Sequence, residues 1–411
     1  MNDKLNLLTK MDRTIIVAEA GVNHNGDPDL AFQLIDIAVE AGVDVVKFQT
    51  FNAEDIVTKS ATKVDYQKKT IDDSESQYSM LKRLELDCET YYKLISYCKE
   101  QEIEFLSTAF DFKSLNFLVN DLGLKILKIS SSEITNGPLL LAHARTGCDL
   151  IISTGMATLS EVEEALSVLA FGLTNGMDLK IKPSRDEFQK AYISVAGQQA
   201  LKNKVTVLHC TTEYPAPPKE INLNAMLTMR NVFGLKTGYS DHSKGITVPI
   251  AAVAMGATLI EKHFTIDKSL SGPDHKASLN PSELKDMVKA IRNIEQAMGD
   301  GIKLPMPSEL KNRSIIRKSL VASIEIKKGD FFSEHNIVAK RPDMGISPME
   351  YWDLDGSVSH KSFNIEDITN IRFDKYLIFQ SFFATNTITK CIQLLNDRDL
   401  LSCILENNKH S

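Results

Sequence analysis

His242 and His263 follow two short strand-like runs that neighbour each other in the chain, and carboxylates stand beside them at Asp241, Glu261 and Asp274. Two neutral imidazoles with a nearby carboxylate form a divalent-metal site with open positions, able to polarise a substrate oxygen. A lone histidine more often bonds a loop, but a pair flanked by acids shifts the balance towards a metal. A second set is basic. Lys47 and Lys128 lie inside the apolar runs Val45-Val46-Lys47-Phe48 and Ile126-Leu127-Lys128-Ile129, and a lysine is rarely buried without a partner. A bound phosphate or a Schiff-base role would each supply the reason. With Thr108, Ser131, Ser153 and Ser240, the two lysines make a set of cations and hydroxyls suited to phosphate, which is held by charge-assisted donors. The loop Gly272-Pro273-Asp274-His275 fits an active site. Asn23-His24-Asn25-Gly26 reads equally well as a plain turn, because Asn-Gly is a strong turn dipeptide.

Side chains so far apart in sequence need a frame that gathers them. Short apolar, β-branched runs recur at residues 15–18, 44–48, 104–107, 126–129, 150–153, 205–208, 236–239 and 259–262. Helical patterns lie between or after them at 28–41, 88–101, 112–121, 138–146, 160–170, 247–255 and 281–298. In 160–170, Val162, Ala165, Leu166 and Leu169 share one helical face, and Ser160 with Glu163 has the form of a capping box. Eight strands alternating with helices predict a (β/α)8 TIM barrel. An open doubly wound sheet is the alternative, but no glycine-rich dinucleotide turn follows the first strand. In a barrel the active site lies at the C-terminal strand ends. Polar residues do collect there: Glu19, Lys47 and Gln49, Thr108, Lys128 with Ser131 to Glu133, Ser153, the run from His209 to Tyr214, Ser240 to His242, and Glu261 with His263. Core packing does not explain eight such ends.

The chain organisation follows from this reading. Residues 1–300 are expected to form the barrel, 301–314 a linker, 315–373 a small β-rich domain and 374–411 a tail with a helix at 388–404. Two connections are long, at 50–78 and 174–203, and the second is expected to hold an extra helix at 186–196; such loops usually have a function. A net charge of −7 argues against nucleic acid or an acidic membrane as the partner. Six cysteines without a CxxC pair suggest reduced thiols and a cytoplasmic setting. No signal-peptide core or membrane-length apolar run is visible.

Taken as an ordered set, several stretches are similar to the sialic acid synthase family, bacterial enzymes making N-acetylneuraminate or legionaminate. They are Ala18-Glu19-Ala20-Gly21-Val22-Asn23-His24-Asn25-Gly26, Lys47-Phe48-Gln49-Thr50-Phe51, Lys128-Ile129-Ser130-Ser131-Ser132-Glu133 and Ser153-Thr154-Gly155-Met156. Further along come His209-Cys210-Thr211-Thr212-Glu213-Tyr214-Pro215, Tyr239-Ser240-Asp241-His242, Glu261-Lys262-His263-Phe264-Thr265 and Gly272-Pro273-Asp274. The resemblance covers residues 14–373 and implies a great deal. His242 and His263 would hold Mn2+, with Mg2+ or Co2+ as alternatives, and Asp274 would assist through water. Lys47, Thr108, Lys128, Ser131, Ser153 and Ser240 would bind phosphoenolpyruvate. Gln49, Glu133 and Tyr214 would face an N-acetylated mannose-type sugar, with Thr212 beside them and Glu19 near the reacting centre, and Glu133 or Glu19 would handle the protons. The C-terminal β domain would be an antifreeze-like (SAF) module, which in the family offers an arginine, here Arg341, across a domain-swapped homodimer.

The implied reaction joins phosphoenolpyruvate to N-acetylmannosamine and releases phosphate by C–O cleavage. The diacetamido-trideoxy sugar leading to legionaminate is the alternative. Departures exist: Ser132 stands where many relatives carry glycine, Thr212 replaces an asparagine of some, and the 174–203 insertion matches only a subgroup. Two other classes are weighed on the residues alone, a Schiff-base aldolase using Lys128 and a non-catalytic sugar-binding protein.

Overall fold

The computed structural model describes residues 13–63, 76–175 and 181–369. The expected tail, with its helix at 388–404 and the residues Cys391 and Cys403, lies outside the described residues. The chain divides into two compact units, Met1–Gly301 and Ile302–Ser411.

In the first unit eight parallel strands close into a barrel in sequence order. They are β1 (Ile15–Gly21), β2 (Val45–Thr50), β3 (Glu104–Ala109), β4 (Ile126–Ile129), β5 (Asp149–Ser153), β6 (Val205–Cys210), β7 (Lys236–Asp241) and β8 (Leu259–His263). Side chains alternate across a strand, so every second residue points inward. The inward set nearest the strand starts is apolar: Ile15, Val17, Val45, Leu106, Ile151, Leu208 and Leu259 pack as one cluster. Two residues further along each strand the inward position turns polar, which stacks a charged layer on an apolar plug. Outward residues such as Val46, Phe48, Leu127, Ile152 and Ile260 belong to the large core shared with the surrounding helices.

Local sequence sets the helices. Pro28–Ala41 begins with Asp27, whose side chain accepts from the Asp29 amide, and ends at Gly42 in the left-handed conformation. The last barrel helix, Pro281–Met298, starts with a full capping box between Asn280 and Glu283. Its Arg292 bonds Asp44 at 2.7 Å and Glu295 at 3.0 Å, tying the end of the barrel to its beginning.

Several local expectations are corrected. The helix expected at 160–170 runs Leu159–Asn175. Its reciprocal cap joins Thr158 and Glu161 rather than Ser160 and Glu163, the Thr158 amide donating to Glu161 at 2.7 Å and the Glu161 amide to Thr158 Oγ1 at 3.3 Å. The expected helix 186–196 is two helices, Arg185–Ile193 and Val195–Lys204. They break at Ser194, whose hydroxyl both donates to the Ala191 carbonyl and accepts from Gly197. Asn224–Phe233 is a helix that periodicity did not suggest; it buries Met226, Met229 and Phe233 but is diluted by poor helix formers. The expected helix 112–121 is α-helical over Phe112–Asn116 and widens to a π-helical turn over Phe117–Asp121. Within the long connection at 50–78, Ala53–Ile56 is a short helix and Gln77 opens the helix Gln77–Leu84.

In the second unit Ser319–Ala322 pairs antiparallel with Ile337–Lys340. Leu320, Ala322, Ile326, Phe332, Ile337, Leu354 and Phe363 form its small core. The stretch read as a linker carries the helix Pro307–Ile316, none of whose residues is buried. Among the described residues no helix is long and apolar enough to cross a membrane.

His143, on the helix Gly137–Arg145, is fully buried and its Nδ1 bonds the Leu139 carbonyl at 2.9 Å. Burial lowers its pKa from the ordinary histidine value of 6.5 to about 4. Between those values the unfolded chain binds a proton that the folded chain refuses, so stability falls as the pH drops from about 6.5 to about 4. A loss on the order of 2–3 kcal/mol is expected from this residue. Urea unfolding at pH 7 and pH 4.5 checks it: His143→Leu should lose less stability over that interval than the wild type, and an equal loss would contradict this account.

Candidate active site

A cavity of about 350 Å3 opens at the C-terminal strand ends. The barrel residues assigned to substrate, metal or proton transfer line it: Glu19, Lys47, Gln49, Thr108, Lys128, Ser131, Glu133, Ser153, Thr212, Tyr214, Ser240, His242, His263 and Asp274. Asp241, a further carboxylate candidate for the metal, is instead buried in an ion pair with Lys262 outside the cavity lining. Arg341 is exposed in the second unit, just after the strand Ile337–Lys340.

The floor of the cavity is a buried charge network. Lys47 Nζ lies 2.7 Å from Glu19 Oε2 and 3.4 Å from Glu261 Oε2, and it donates to Thr108 Oγ1 at 3.2 Å. Lys128 Nζ donates to Ser153 Oγ at 2.7 Å and lies 3.8 Å from Glu261 Oε1. Ser240 donates to the same glutamate oxygen at 2.8 Å. Glu261 therefore sits between the lysines and accepts part of their charge. Burial pushes its carboxyl up, but Lys128 and Lys47 outweigh that and bring it to about 2. Burial also opposes the Lys47 charge, yet Glu19 and Glu261 win and raise its pKa. Lys128 is held below the ordinary lysine value by burial, which Glu261 only partly offsets. Glu19 is raised to about 7, chiefly by burial. The sequence reading treated Glu261 only as a metal candidate. Its place two residues after the inward Leu259, on the same face of β8, was the signal for this second role.

The imidazoles of His242 and His263 stand with ring centres 5.6 Å apart at the ends of adjacent strands. His242 Nδ1 lies 2.7 Å from the Thr211 carbonyl; a carbonyl only accepts, so Nδ1 carries a proton, and in the neutral ring Nε2 keeps its lone pair. Burial opposes the His242 charge, but Cys210 and the Thr211 carbonyl outweigh it and raise the pKa. Tyr214 packs over His242 at 4.1 Å between ring centres. His263 Nδ1 is buried with no hydrogen-bond partner, 3.9 Å from Asp274 Oδ2. Burial first, then His242 and Lys47, hold His263 well below its usual pKa and therefore neutral. Burial also raises Asp274 to about 6. Among the described residues no group of three His, Cys, Asp or Glu side chains is placed to hold a metal ion. The observation that fits an ion here is the imidazole pair itself, with a buried His263 nitrogen that has no hydrogen-bond partner.

Backbone shape matters at Gly21, where β1 bends past the site with φ +55°. A Cβ there would come 3.2 Å from Glu19 Oε1 and 3.3 Å from His263 Cε1. Ser131 accepts from the Gly155 amide at 2.9 Å, joining the ends of β4 and β5. Glu133 is half-buried at the rim, where Asn136 Nδ2 donates to it at 2.8 Å. Cys210, noticed in the sequence only within a motif, also lines the cavity, as does an apolar wall from residues 51–57 and 77–84.

A (β/α)8 barrel with paired lysines on its floor and paired imidazoles at its mouth defines an enzyme for a small anionic substrate. A profile described as the NeuB family matches residues 34–303, and the chain belongs to that family. It is 49% identical over 358 residues to the N,N'-diacetyllegionaminic acid synthase of Campylobacter jejuni subsp. jejuni serotype O:2, covering 87% of this chain and 99% of that protein. To the enzyme of the same name from Legionella pneumophila subsp. pneumophila it is 44% identical, covering 83% and 89%. The solved N-acetylneuraminic acid synthetase of Leptospira borgpetersenii serovar Hardjo-bovis superposes with a TM-score of 0.58 at 33% identity, covering 73% of this chain and 90% of that one. The protein is thus an enzyme of a family whose members include named synthases of acidic sugars.

Proposed function

We propose that the protein condenses phosphoenolpyruvate with 2,4-diacetamido-2,4,6-trideoxymannose to give N,N'-diacetyllegionaminate and phosphate. The observation that carries this is the 49% identity extending over 99% of a synthase of that product, together with a cavity holding the residues such a condensation needs. N-acetylmannosamine, which the sequence reading put first, becomes the alternative sugar.

In this mechanism Lys47 and Lys128 hold the anionic groups of phosphoenolpyruvate, with the hydroxyls of Thr108, Ser131, Ser153 and Ser240 completing the cradle. Glu261 fixes both ammonium groups and keeps them charged in a buried floor. Gln49, Thr212, Tyr214 and Glu133 orient the open-chain sugar so that C3 of phosphoenolpyruvate meets its aldehyde carbon, a positioning effect that lowers the barrier strongly. The new C–C bond leaves C2 electron-poor, and water adds there. The aldehyde oxygen takes up a proton to become the new hydroxyl. In the tetrahedral adduct at C2 the original C2–O bond to phosphate then breaks as the added hydroxyl gives up its proton, releasing inorganic phosphate and leaving the 2-keto acid. Glu19, with Oε1 3.1 Å from Gln49 Nε2, is placed to take a proton from the entering water. His242 and His263, with Asp274 assisting, would hold a divalent cation, which when bound would supply Lewis-acid polarisation of the aldehyde oxygen; Mn2+ is our choice, with Mg2+ or Co2+ able to substitute.

We assign the second unit as the antifreeze-like module and place Arg341 at the site of a partner subunit in a domain-swapped dimer. The exposure of Trp352 and Met349, at 75% and 81%, supports a partner surface there. Four free cysteines among the described residues favour a reducing, cytoplasmic setting.

Phosphate release from phosphoenolpyruvate with Mn2+, compared between the two sugars, tests the function. Turnover should require a sugar, prefer the diacetamido compound and stop on chelation, and borohydride with pyruvate should trap no adduct on Lys128. Release that survives complete metal removal would sink the scheme.

A further inference from the structure

The cavity is chemically divided. Besides its charged floor, the cavity is lined by Phe51, Ile56, Met80, Leu81 and Phe110, an apolar wall. Phe51 and Met80 are buried in a cluster with Val22 and Leu84, against which Ile56, Leu81 and Phe110 pack. Phe51 and Phe110 meet edge to face with centres 6.2 Å apart. The wall is therefore braced from behind and part of a defined structure. Of the lining residues contributed by 51–57 and 77–84, Gln77 alone is polar among the described residues.

We propose that this wall selects the sugar, by receiving the C6 methyl and the 4-acetamido methyl of the diacetamido-trideoxy substrate. The inference rests on the functional reading above and deepens it. N-acetylmannosamine differs from that sugar in having a C6 hydroxymethyl and a free C4 hydroxyl. Ile56 and Leu81 have no side-chain donor or acceptor, so hydroxyls packed against them lose water without return, whereas methyl groups gain apolar contact. A buried hydroxyl without a partner disfavours the wrong sugar by about 10- to 100-fold. The same asymmetry lets a rigid barrel floor serve one chemistry while the wall sets the substrate.

The test is steady-state turnover of both sugars by the full-length protein with Mn2+ and saturating phosphoenolpyruvate. The variants are Ile56→Gln, Leu81→Gln and Leu81→Met. Both positions are only half-buried, so the glutamine variants should fold, and an unchanged KM for phosphoenolpyruvate reports an intact floor. The ratio of kcat/KM for the diacetamido sugar over N-acetylmannosamine should fall at least about 10-fold in the glutamine variants. Leu81→Met, which keeps volume and apolarity, should hold the ratio within about threefold. A ratio unmoved by both glutamine variants, in an enzyme that prefers the diacetamido sugar, overturns the wall and leaves the function standing. An equal fall in Leu81→Met overturns it too, because polarity would not be the cause. A wild type that turns over neither sugar, or prefers N-acetylmannosamine, overturns the functional reading and this inference with it.

Discussion

Lys47→Met should lose turnover by about 10^3-fold and also unfold more easily, by about 3–5 kcal/mol. Both effects come from the same geometry. Lys47 is 3% exposed and faces Glu19 at 2.7 Å and Glu261 at 3.4 Å. Methionine matches its length but leaves two carboxylates in the barrel with only Lys128, 3.8 Å from Glu261, to balance them. A buried charge without its partner is far costlier than the pair was worth. The double variant Lys47→Met/Glu19→Gln separates the two effects. It removes one positive and one negative group together, so urea unfolding should show most of the stability restored while phosphate release stays lost. If the single variant is as stable as the wild type, the floor is not balanced as described.

His263→Ala should abolish detectable condensation, with kcat down by at least about 10^3-fold, or roughly 4 kcal/mol of barrier. The fold should survive, because His263 Nδ1 has no hydrogen-bond partner to lose. Mn2+ affinity, read by titration calorimetry or by the spectrum of the free ion, should fall in parallel. His242→Ala should behave alike but cost more stability, since it breaks the 2.7 Å bond to the Thr211 carbonyl that connects the ends of β6 and β7. Asp274→Asn should be milder, about 10- to 100-fold, as expected of a group acting beside the ligands. Unaltered Mn2+ binding by His263→Ala would remove the imidazole pair from the metal site.

Much of this site was legible in the chain because a barrel converts sequence parity into depth. Val17 and Glu19, Val45 and Lys47, Leu106 and Thr108, Ile126 and Lys128, and Ile151 and Ser153 are each two residues apart. Register pairs such as Glu19 with Lys47 and Thr108 with Lys128 then set the second members at one level. Local signals failed where tertiary contacts outweighed them. Met226, Met229 and Phe233 are buried on a short helix in which Asn224, Thr228, Asn231 and Val232 dilute the helical signal, and packing against the barrel reveals it. The cap at Thr158 rather than Ser160 turns on where the chain leaves β5, which periodicity cannot locate to one residue.

By itself the sequence determined the alternation of strands and helices, and with it the list of polar residues that must meet at one barrel mouth. Alternation and periodicity are local properties, written in neighbouring residues. The tertiary structure alone decided that Glu261 stands between two lysines, that His263 has a free buried nitrogen, and that residues 51–57 and 77–84 combine into one apolar wall. Those facts depend on distances between segments far apart in the chain. Only the closure of the barrel sets such distances, because it fixes register, depth and facing for all the strands at once.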